Sequence, residues 1–137
     1  MNGTTSQKFV KLLAARDFEG VAATLASDAH ARFLLPHGLE EHAGRDPIVG
    51  RIKSWFESAS VFELASSSEG TVGLRQRVSW RFTVVRDGGS SEVIEQLAYL
   101  NLGHQGIEQS DLLCSGFQIG TGIATGYEQV FSAGALG

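Results

Sequence analysis

The sequence predicts an α+β fold in which three helices lie on one face of an antiparallel sheet. Three observations carry that reading. Apolar residues recur at spacings of three and four as far as Phe56, the period changes to two beyond Ser60, and glycine-bearing breaks separate the alternating runs. With 137 residues, 42% of them hydrophobic and 19% charged, the chain is the right size for one domain. That domain is expected over residues 1–119, with a glycine-rich tail over 120–137.

Over residues 7–26, Phe9, Leu12 and Leu13 and then Phe18, Val21, Ala22 and Leu25 keep helical spacing. Asp17 falls at the interruption, where its carboxylate would cap the amides of a helix starting at Phe18, so two short helices are expected. The apolar run Ala31 to Leu35, stopped by Pro36, reads as a strand, and His37 to Gly44 as a polar loop. Asp46 followed by Pro47 is a helix-start signature, and Ile48, Ile52, Trp55 and Phe56 give the third helix one apolar face. Four strands follow, in Val61 to Leu64, Val72 to Val85, Val93 to Leu102 and Ile107 to Ile119. Breaks are expected at Glu69-Gly70, Asp87-Gly88-Gly89 and Gly103 to Gly106.

A net charge of −4 without a run of like charge argues against a nucleic-acid partner. No apolar stretch reaches the roughly 20 residues of a membrane span, and the N-terminus lacks a secretory layout, so a soluble cytoplasmic protein is expected. The lone Cys114 provides neither an internal disulfide nor a sulfur-based metal cluster.

Four stretches carry a family resemblance: Phe9 through Ala26 with its Ala15-Arg16-Asp17-Phe18 joint, Ala26-Ser27-Asp28-Ala29, Gly44-Arg45-Asp46-Pro47-Ile48, and Gly106-Ile107. In that order the chain resembles the nuclear-transport-factor-2-like superfamily, which includes ketosteroid isomerases, SnoaL-like polyketide cyclases and limonene epoxide hydrolases. The resemblance implies a cone-shaped, curved antiparallel sheet packed on three helices, a central cavity for a small apolar molecule, no cofactor and no metal. It also implies a homodimer formed through the outer sheet face, where Thr83 and Val85 would otherwise expose apolar area.

The steroid-isomerase groups are missing. The tyrosine position of that family falls on Phe9, its carboxylate base on or next to Phe33, and its second acid near Gln96 or Leu97. The epoxide-hydrolase pattern is half kept, since Arg77-Val78-Ser79 has serine where that family has aspartate. Asp111 on the last strand is the remaining partner for Arg77 if it faces inward, and a slip of one residue reverses its face. Trp80 and Phe82 share one side of their strand, while Arg77, Ser79 and Arg81 share the other. Trp80 is expected inward, because burying the arginines without carboxylates would cost several kcal/mol.

Among the histidines, His104 belongs to a solvated hairpin tip and His30 to the outer face. His37 and His42 bracket Glu40 and Glu41 in the loop that borders the cavity mouth in the resembling family. Catalysis is therefore expected to depend on Asp111, His37 or His42, and a ligand to meet Phe33, Trp55, Trp80, Tyr99 and Cys114. The expected function is a small cofactor-free enzyme that isomerises, dehydrates, cyclises or opens an epoxide on an apolar oxygenated metabolite. The alternative is a ligand-binding or dimeric scaffold of the same fold without chemistry.

Overall fold

Helix α1 (Thr5–Ala14) begins with a capping box: the Thr4 hydroxyl accepts from the Gln7 amide, and the Gln7 side chain accepts from the Thr4 amide, each at 3.1 Å. The computed structural model describes residues 4–119, so the glycine-rich tail expected over 120–137 lies outside the described residues. Helix α2 (Phe18–Ala23) is capped by Asp17, which accepts from the Gly20 amide at 2.9 Å, as its place in the sequence predicts. It stops at Ala23, two residues before Leu25, the last apolar residue in helical spacing. The reason is tertiary: Ile107 donates its amide to the Thr24 carbonyl at 2.9 Å, which draws the chain into the sheet. Strand β1 thus runs Leu25–Leu35 and not only over the apolar run near its end.

The segment expected as a polar loop is a strand. β2 (Gly38–Ala43) forms an antiparallel hairpin with β1, and its Gly38, Glu40 and His42 are half-buried while Leu39, Glu41 and Ala43 are exposed. An edge strand that buries half a face needs alternation and little apolar content, which is why composition concealed it. Helix α3 (Arg45–Phe56) starts at Arg45 after Gly44, which makes no side-chain cap. Asp46 is therefore not the cap but a first-turn residue, where its charge still favours the helix dipole.

Four long strands follow: β3 (Val61–Val72), β4 (Arg75–Val85), β5 (Glu92–Gly103) and β6 (Gly106–Cys114). A short β7 (Gln118–Ile119) pairs with β5, so the expected last strand is broken after Cys114. β3 passes straight through Glu69-Gly70, where a break was expected, and turns at Gly73-Leu74 with Gly73 at φ 61. Its serines are poor strand formers, yet they pair in register with Arg81, Trp80 and Ser79, so the partner strand overrides propensity.

The sheet order is β2-β1-β6-β5-β4-β3, antiparallel throughout except for the parallel β1–β6 pair. One parallel pair departs from the wholly antiparallel expectation. Helices cover the face that carries Phe33, Val78, Trp80, Phe82, Ile94, Leu100 and Leu112, all no more than 5% exposed. α3 adds Ile48, Val49, Ile52, Trp55 and Phe56, the predicted apolar face plus Val49. Three helices on a curved, unclosed sheet make the α+β cone that the resemblance implied. Among the described residues no helix is long and apolar enough to cross a membrane.

Candidate functional site

Period-two geometry sorts the candidate residues onto two faces of the sheet. On the helix side, Phe33, Trp80, Gln96 and Cys114 point into the core from β1, β4, β5 and β6, and Trp55 meets them from α3. Phe33 lies 5.2 Å from the Trp55 ring and 5.4 Å from the His42 imidazole, while Phe9 lies 5.7 Å from Trp80. Phe33 and Phe9 are therefore apolar packing groups. Gln96, 2% exposed, has its carbonyl accept from the Trp80 indole at 2.8 Å and its amide donate to the Cys114 sulfur at 3.3 Å. That amide holds the wall in place and transfers no proton.

At the end of the cone built by the β1–β2 hairpin and α3, one carboxylate gathers three basic side chains. Arg51 grips Glu40 through two bonds, Nε to Oε1 at 2.8 Å and a terminal nitrogen to Oε2 at 3.0 Å. His37 and His42 each place Nε2 3.1 Å from a Glu40 oxygen. The Arg51 hydrogen bonds, against the opposing effect of partial burial and with help from His42, lower the Glu40 pKa from 4.5 to about 2. An ionised carboxylate only accepts, so each imidazole donates through Nε2, and a neutral His42 keeps its Nδ1 lone pair as the basic site. His42 rests on Phe33, and Arg51 lies 5.5 Å over the Trp55 ring. His37 is the outer member, with 63% of its side chain exposed against 23% for His42.

Asp111 is not part of this cluster. It lies on the opposite face, bonded to Arg32 at 2.8 Å, Arg75 at 2.6 Å and the Gln109 amide at 2.9 Å. The Arg32 bond leads in holding its carboxyl far below the usual range. It does not pair with Arg77, because its cross-strand neighbours are Arg32 and Tyr99. Tyr99 shares that outer face, with Arg75 5.5 Å above its ring, so it does not line a wall with Trp80. Both departures have one cause: on β5 and β6 the even-numbered residues face the core near these positions, and Asp111 and Tyr99 are odd.

The helix side thus carries His42, Phe33, Trp55, Trp80 and Cys114, with His37 at its rim. It gives Glu40, expected only as one of two carboxylates between the histidines, the central place, and adds Arg51, which the sequence did not single out. Their signals were present. Glu40 and His42 are two apart on a strand and share a face, and Arg51 stands four residues before Trp55 on a helix.

No model of a known family matches the chain, and no curated protein matches it. Solved structures do. An NTF2-like protein of unknown function from Burkholderia pseudomallei K96243 is 20% identical, with 79% of this chain and 86% of that one covered at a TM-score of 0.60. A proposed polyketide cyclase from Xanthomonas campestris pv. campestris is 16% identical, with 80% and 86% covered at 0.63. A hypothetical protein with a ketosteroid isomerase-like fold from Catenulispora acidiphila DSM 44928, solved with trimethylamine, is 10% identical, with 85% and 88% covered at 0.66. Identities this low establish the fold alone: the chain has the nuclear-transport-factor-2-like cone.

Proposed function

We propose that the protein is a small cofactor-free enzyme that moves a proton on an apolar oxygenated metabolite, with His42 as the general base or acid. The observation that carries this reading is the His42 imidazole held between the Glu40 carboxylate at 3.1 Å and the Phe33 ring at 5.4 Å. Glu40 orients the ring and fixes its tautomer, Arg51 keeps Glu40 ionised, and Phe33 and Trp55 supply an apolar wall. Such a set suits isomerisation, dehydration, cyclisation or epoxide opening, each of which needs one well-placed proton acceptor or donor. The substrates named for proteins of this fold, polyketides and ketosteroids, are of this chemical class.

The second reading is a ligand-binding or dimeric scaffold without chemistry. It is favoured by the aromatic filling at Phe9 and Phe33, both no more than 5% exposed, at or beside the positions where the resemblance to the isomerases would put polar groups. One experiment separates the two. A panel of apolar ketones, β-hydroxy ketones and epoxides is followed by NMR in deuterium oxide, which reports proton exchange as well as net turnover. The enzyme reading expects turnover that falls about a hundredfold in His42→Ala and persists in Asp111→Asn. Binding without exchange or turnover across the panel would replace it with the scaffold reading.

A further inference from the structure

We propose that the outward face of β3, β4, β5 and β6 carries a separate binding groove for a small carboxylic acid with an apolar body. The open groove has a volume of about 680 Å³, within the range of ligand pockets, and lies mainly on the face opposite Glu40 and His42, although Trp80, Gln96 and Cys114 also border it from their core-facing positions. Its floor is apolar, formed by Leu97 and by Leu113, which is 52% exposed and pairs with it across the strands. Its charge is unbalanced. Arg81 is spent on Glu95, with which it forms an ion pair, whereas Arg77 has no carboxylate within ion-pair distance among the described residues.

The backbone opposite Arg77 is shaped to hold it. Gly70 is its cross-strand neighbour, and a Cβ at position 70 would come within 2.9 Å of the guanidinium. Glycine there lets the arginine lie down across β3 at the rim of the groove. Beside it, Ser68 and Ser79 share one hydrogen bond at 2.8 Å, so one of the two hydroxyls keeps a proton to donate elsewhere. One planar guanidinium, one spare hydroxyl donor and two leucines match the charge, fork geometry and apolar remainder of a monocarboxylate. A phosphate dianion would meet a single unbalanced cation, and an amine would find the one lining carboxylate, Glu95, already paired with Arg81.

The test is ligand-observed NMR and calorimetry on the full chain with octanoate, octyl phosphate, octanol and octylamine. Octanoate is expected to bind one per chain and most tightly of the four. Arg77→Gln should weaken it about tenfold or more, the scale of a lost charge-assisted hydrogen bond. Gly70→Ser, which crowds the guanidinium, should weaken it in the same direction. His42→Ala should leave it unchanged, which separates this groove from the site of the proposed reaction. Arg77 is solvent-facing, so Arg77→Gln is expected to fold, with circular dichroism as the check. The proposal is overturned if octanol or octyl phosphate binds as well as octanoate, if Arg77→Gln binds as the unaltered chain does, or if His42→Ala is the variant that loses binding.

Discussion

Glu40 gives the hairpin end of the cone its acid sensitivity, because one carboxylate there serves an arginine and two histidines. Its pKa is lowered from 4.5 to about 2, first by the Arg51 hydrogen bonds. A depressed carboxylate contributes stability that is fully present above its unfolded pKa and is lost as pH falls through the folded one. The window for Glu40 therefore runs from about pH 4.5 down to about 2. Urea denaturation across that window should show the unaltered chain losing stability more steeply than Glu40→Gln. Near neutrality the same variant should cost about 1 kcal/mol, since the cluster is partly exposed and screened. Asp111 is depressed in the same direction by Arg32, so Asp111→Asn should remove a second, independent share of the acid slope. Equal slopes for all three proteins would show that neither ion cluster couples to folding.

At the scale of elements, the capped helix α2 and the apolar face of α3 were legible because each rests on a local rule: an aspartate before a helix, or leucine-like residues three and four apart. What the sequence concealed depends on partners far along the chain. β2 was hidden because Glu40, Glu41 and His42 look like a loop until β1 gives them a ladder, and with it went the alternation that aims Glu40 and His42 at one site. The serine stretch of β3 was hidden for the same reason. The faces of Asp111 and Tyr99 turned on a parity that only the observed register fixes. Gly106 is the junction where one local motif and one distant contact meet. Its φ is 115, and an added Cβ would lie 2.4 Å from the Thr24 carbonyl oxygen, whose bond to Ile107 ends α2 and starts β1. Gly106→Ala is therefore expected to destabilise the fold by about 2 kcal/mol or more, through backbone strain and a clash that backbone cannot relieve. Thermal unfolding of this variant beside Gly103→Ala makes the comparison, because the clash at 103 is with the Glu108 side chain, which can move away. A smaller loss at 106 than at 103 would refute the assignment.

For the molecule as a whole, the unanswered demand is the outer sheet surface. Cross-strand register lines up Leu39, Leu34, Leu113 and Leu97 in one row across β2, β1, β6 and β5. The first three are 57%, 48% and 52% exposed. Such a row is more apolar than an isolated surface leucine and is flanked by the Arg32–Asp111–Arg75 chain of ion pairs, which would tolerate the rim of an interface. A second copy laid on this face is the covering that a self-complementary strip invites, and a stable one would bury about 800 Å² on each protomer. The expected outcome is a dimer by light scattering at micromolar concentration and a monomer for Leu113→Glu, whose charge would sit in the middle of the row. Val85→Glu, near the far end of β4, should weaken association less, because Val85 lies outside the leucine row. A monomer mass for the unaltered chain would leave the row to some other partner. A dimer that survives Leu113→Glu would move the interface to another surface. Leu97 and Leu113 belong both to this row and to the floor of the groove, so a second copy and octanoate compete for one face. Octanoate should therefore shift the unaltered chain towards the monomer in light scattering, whereas Arg77→Gln, altered outside the row, should stay dimeric in its presence.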